Sequence, residues 1–94
     1  MSKIVKDDAG CKGVSHVVET ADGKQYAVSS IYLEEFCRIS GFTYETAVFK
    51  WNKVKHEITN WTDVLMFRYV SEEEMLKEHS EICKNLEQYL QGLR

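Results

Sequence analysis

Cys37, His56 and Asp63 hold the elements of covalent catalysis: a thiol nucleophile, an imidazole base and a carboxylate to orient it. Cys37, however, falls on the apolar side of a helical pattern, where a thiol packs and stays inert. The chain has no Gly-rich phosphate loop and no paired carboxylates flanking an obvious cleft. It therefore reads as non-enzymatic, without a small-molecule substrate. His16, His56 and His79, with Cys11, Cys37 and Cys83, form no CxxC pair and are read as sharing no ligand-like spacing, so neither a metal nor another cofactor is expected. Three scattered cysteines cannot all pair within one chain, which fits a reducing compartment and the cytosol.

A second set of residues suits recognition rather than reaction. Thr43, Tyr44, Glu45, Thr46, Phe49, Lys50 and Lys53 lie within "GFTYETAVFKWNK". If this stretch is a helix entered through a tight turn at Gly41, its first four candidates meet base edges and phosphates, and Lys50 and Lys53 follow one and two turns on. Phe49 suits a thymine methyl or a protein partner.

The elements that must position these residues follow from pattern. Residues 1–12 show little periodicity and read as a loosely ordered start. "VSHVVETADGKQYAVSS" is rich in Val, Thr and Tyr around Asp22-Gly23, which predicts a β-hairpin over 14–28. Ser29 and Ser30 stand as caps before "IYLEEFCRIS", and Gly41 closes that pattern, so a helix-turn-helix is predicted over 30–57. Ala47, Val48 and Trp51 form the inner face of its second helix. Thr62 opens a short helix over 61–67. Ser71 with Glu74 makes a capping box that starts a long final helix over 71–92. The expected fold is thus mostly α, one domain with an N-terminal β-hairpin.

The final helix places Met75, His79, Ile82, Leu86, Tyr89 and Leu93 at alternating spacings of four and three. Such a stripe either packs on its own domain or, as in a short coiled coil, supports a homodimer through Met75, Ile82, Leu86, Tyr89 and Leu93. His79 on the stripe reads as a satisfied, half-buried histidine.

At 94 residues and 44% apolar content, the chain suffices for one small core. No apolar run reaches the roughly 20 residues of a membrane helix, and the charged start does not read as a signal peptide. The net charge of −3 resides in residues 71–94, while residues 1–70 balance nine basic groups against nine acidic ones. The basic surplus of a non-specific DNA binder is missing.

"SGFTYETAVFKW", with "NWTDVLMF" about ten residues on, resembles the small helix-turn-helix proteins of bacteriophages, through Gly41, Phe42, Thr43, Tyr44, Thr46, Lys50, Trp61, Thr62 and Leu65. That resemblance covers about 35 central residues, and it implies a cytoplasmic transcription regulator that docks its second helix on double-stranded DNA. It leaves the hairpin and acidic final helix unexplained. The alternative is a protein-interaction module, such as a small phage factor that grips a host protein through Phe49, Trp51 and their neighbours.

Overall fold

The backbone of the computed structural model is described over residues 2–34 and 41–92. Its dominant feature is a five-stranded antiparallel sheet in which chain order and spatial order coincide: β1 (Lys3–Lys6), β2 (Val14–Glu19), β3 (Gln25–Tyr32), β4 (Tyr44–Lys50) and β5 (Leu65–Tyr69). Two helices follow, α1 (Glu72–Lys84) and α2 (Leu86–Leu90). Strand makes up 38% of the described residues and helix 21%, so the expected mostly α fold is corrected to a mostly β one.

The hairpin that the sequence predicted is present as β2 and β3. Val18 pairs with Tyr26 and Glu19 with Gln25. Gly23 adopts φ +83° in the connecting turn, which Thr20 closes by accepting from Gly23 N–H and donating its own N–H to Lys24 O, each at 2.9 Å. The strand does not stop at 28. Ser29 and Ser30, expected as helix caps, are buried ladder positions opposite Ala47 and Thr46.

The largest correction concerns the helix-turn-helix over 30–57. Its expected second helix is strand β4, paired with β3 from Tyr32↔Tyr44 to Tyr26↔Lys50 and with β5 on its other side. The physical reason is that both faces of β4 are covered. Tyr44, Thr46 and Val48 face α1 while Ala47 and Phe49 face the opposite layer, so apolar residues come consecutively and mimic a helical spacing. Most of the expected first helix, residues 35–40, lies outside the described residues, including Cys37. Leu33 N–H donates to Thr43 O at 2.7 Å, which continues the β3–β4 ladder beyond the strands.

Two further expectations change. The short helix over 61–67 is replaced by a loop and the edge strand β5, and part of the loosely ordered start is the opposite edge strand β1. The long final helix is present but broken at Asn85. Ser71 caps α1 by accepting from Glu74 N–H at 3.2 Å, as its capping box predicts. At the break, Ser2 Oγ donates to Cys83 O at 3.0 Å and accepts from Leu86 N–H at 2.9 Å, which ties the N-terminal segment to the helices.

The sheet is covered on both sides. On one face Val18, Val28 and Val48 pack against Ile82, Cys83, Leu86 and Tyr89 of the helices. On the other, Val17 and Ala27 are covered by Ala9, Trp51 and Ile58 from irregular segments. No helix among the described residues is long and apolar enough to cross a membrane.

Candidate functional site

Alternation along the strands places different chemistry on the two faces. The α1 face carries the polar positions His16, Ser30 and Thr46 within its aliphatic core. Ser30 Oγ lies 2.6 Å from Thr46 Oγ1 and 2.6 Å from His79 Nδ1, and His79 Nε2 lies 2.8 Å from His16 Nδ1. His79 comes from the middle of α1, so the line crosses from sheet to helix. Ser30, Thr46 and His79 are buried, and His16 is half-buried. Burial, and after it the nearby His16, lowers the His79 pKa to about 4, so the ring is neutral.

Cys83 stands one turn along α1 from His79. The donor atoms of His16, His79 and Cys83 all lie within 4.8 Å of one another. These three residues line a groove of about 480 Å³ between β1, β2 and α1, with Ser2, Lys3 and Lys84 also along it. Burial pushes the Cys83 thiol up to about 12, which keeps it protonated. Burial likewise raises the Tyr69 phenol to about 12, against an opposing pull from Thr46 and with the charges of Glu78, Tyr89 and Glu74 adding to the rise. The Tyr69 hydroxyl completes no hydrogen bond of good geometry among the described residues.

The second face carries an apolar groove of about 380 Å³. Ile31, Ala47, Phe49 and Trp61 line it, with Lys12 and Glu45 among its polar residues. Phe49 and Trp61 meet edge to face, with ring centroids 5.2 Å apart. Trp61 is 64% exposed and reaches the groove from the loop before β5. Glu45 is balanced by Arg68, whose Nε lies 3.3 Å from Glu45 Oε2. Cys11 also borders this groove, and its pKa is raised by burial and by Asp8, with Ser29 opposing.

The predicted DNA-reading set is dispersed by the strand. Thr43, Tyr44 and Glu45 are half-buried, and Thr46 is sealed inside the α1 face. Phe49 packs toward the opposite face. Lys50 and Lys53 are exposed, and with Lys24 they border a third depression at the end of the β3–β4 pair. The proposed dimer stripe is also accounted for. Met75, Ile82, Leu86 and Tyr89 are buried in the chain's own core, and Leu93 lies outside the described residues. Of the catalytic elements, His56 and Asp63 are exposed loop residues, and Cys37 lies outside the described residues.

Sequence reasoning missed the grouping of His16, His79 and Cys83. One signal was present: His79 and Cys83 are four apart in a predicted helix and therefore share a face. His16 is 63 residues from His79 in sequence, and only the sheet brings them together. No family model matches the chain, nor does any curated protein or solved structure.

Proposed function

We propose that this chain is a non-enzymatic protein-binding module whose docking face is the apolar groove between Ile31, Ala47, Phe49 and Trp61. The observation that carries this reading is Trp61, a largely exposed indole held edge-on by Phe49 at the mouth of a concave apolar surface. Tryptophans in such settings are typical anchors of protein interfaces. Glu45 is balanced by Arg68, whereas Lys12 is exposed on the same groove. The fitting occupant is therefore a protein segment with one bulky apolar side chain and an acidic residue beside it.

The test begins with capture of partners by tagged protein from its native host and continues with purified components. Trp61→Ala is expected to weaken the purified complex by at least about tenfold. Lys50→Ala, on a different surface, is expected to leave it unchanged. A partner that binds both variants as it binds the parent chain would remove the groove as the docking face.

A second reading rests on Lys24, Lys50 and Lys53, which surround a depression of about 420 Å³ whose lining also includes Asp22. Such a group supports phosphate contacts without any helix in a groove. It is tested by anisotropy of a labelled mixed-sequence duplex at low and moderate salt. The nucleic-acid reading requires binding that weakens steeply with salt and a slope that falls by about one counterion in Lys50→Ala or Lys53→Ala.

A further inference from the structure

The geometry points to a binding site for one divalent ion of the zinc class, ligated by His16 Nδ1, His79 Nε2 and Cys83 Sγ, at the floor of the groove between β1, β2 and α1. The three donors come from strand and helix, converge within 4.8 Å, and are of the imidazole and thiol types that zinc prefers. A tetrahedral ion requires nitrogens about 3.3 Å apart and nitrogen–sulfur separations of about 3.6 Å. The two imidazole nitrogens now stand 2.8 Å apart. They need to open by about half an ångström while the thiol closes in, a change within the reach of side-chain rotation. His16 is half-buried at the groove, which leaves it room to turn.

The surroundings fit ligation better than a purely structural histidine pair. Ser30 holds the outer nitrogen of His79 at 2.6 Å, the position from which an outer partner fixes a ligating histidine's orientation and tautomer. Thr46 in turn holds Ser30, also at 2.6 Å. A structural pair requires neither a thiol beside it nor an open route to solvent, and this site has both. The groove supplies the route, and water entering along it would complete the coordination. Lys3 and Lys84 line the same groove, so cations are not collected there by charge alone.

Binding forms two metal–nitrogen bonds and one metal–sulfur bond. The Cys83 proton passes to solvent. The proton shared by the facing nitrogens moves to the outer nitrogen of whichever histidine carries it, which for His79 is the nitrogen facing Ser30.

The experiment uses the full reduced chain, freed of metal and titrated with zinc by calorimetry and with cobalt by absorption. The expected result is one ion per chain, held at about 1 μM or tighter, with a thiolate-to-cobalt charge-transfer band. His16→Gln and Cys83→Ala are each expected to weaken zinc by at least about 100-fold, since loss of even an outer partner costs about 10–100-fold. Cys83→Ala is also expected to lose the band, whereas Cys11→Ser keeps both properties. Absence of saturable binding overturns the site, as does binding that either ligand variant leaves unchanged. If Cys83→Ala does not fold, the cobalt titration of His16→Gln decides: a band that saturates only at far higher cobalt supports the site, and an unaltered titration overturns it.

Discussion

The two faces of the sheet are built from the same strands yet solve burial differently. The α1 face is closed by a regular helix, so polar groups beneath it rely chiefly on partners inside the protein. Ser30, Thr46, His79 and His16 do so in one continuous line. The opposite face is closed by irregular segments that reach over Val17 and Ala27 and leave Phe49 and Trp61 at an open groove. A helix lid encloses a few demanding polar positions and leaves its opening at the groove beside β1 and β2. A loop lid yields a partial seal and a surface available to another molecule.

The sharpest way to break this contrast is to remove volume under the helix. Ile82 is 0% exposed and packs among Val18, Val28, Val48 and Leu86. Ile82→Ala is expected to cost about 2–5 kcal/mol in urea denaturation, through lost burial and the cavity left behind. A cost under 1 kcal/mol, on the scale of surface changes, would show that α1 packs loosely and that both faces are only partly sealed. Next in size is Ser30→Ala, which strips a partner from both His79 and Thr46 at buried positions. It is expected to cost about 1–3 kcal/mol in the same measurement.

These positions also mark how far the sequence was legible. The β2–β3 hairpin was readable because its turn chemistry is local: Asp22-Gly23 supplies the positive φ whatever the rest of the chain does. The start of α1 was readable for the same reason, since Ser71 and Glu74 act across a single turn. β4 was not, because a strand covered on both faces loses the alternation that identifies it, and Ala47, Val48 and Trp51 match a helix equally well. The apolar groove was half visible. Phe49 stood out as unexplained, but its partner Trp61 was assigned to a helix that the structure replaces with loop and strand. The histidine–cysteine group depends on β2 lying beneath α1, a relation no local pattern encodes.

A smaller, pH-dependent effect sharpens the comparison on the sealed side. In the metal-free chain His79 has its pKa lowered to about 4 by burial and then by His16, against about 6.5 when unfolded. Between those values the unfolded chain binds a proton that the folded chain does not. The stability contribution is therefore fully present above about pH 6.5 and declines as pH falls toward 4. Urea midpoints measured across that window are expected to drop with acidification, and the drop should be shallower in His79→Gln. Equal slopes in the two proteins would place the acid sensitivity of that window outside His79; the carboxylates of Asp22 and Glu87, with lowered pKa values, act further down the scale.

The smallest effect belongs to the open side and tests it most directly. Trp61 is mostly in solvent, and its edge contact with Phe49 is its aromatic contribution to the fold. Exposed substitutions usually stay within about 0.5 kcal/mol, and an aromatic pair contributes about 0.5–1.5 kcal/mol beyond area. Trp61→Ala is expected near the lower end, about 0.5 kcal/mol by urea denaturation, because this pair is only partly shielded from water. A cost approaching that of Ile82→Ala would mean that Trp61 is a closing piece of the second core, and the groove would be part of the interior. A cost near the expected value leaves the indole free of structural duty, so any loss of partner binding in the same variant then reports on contact and not on folding.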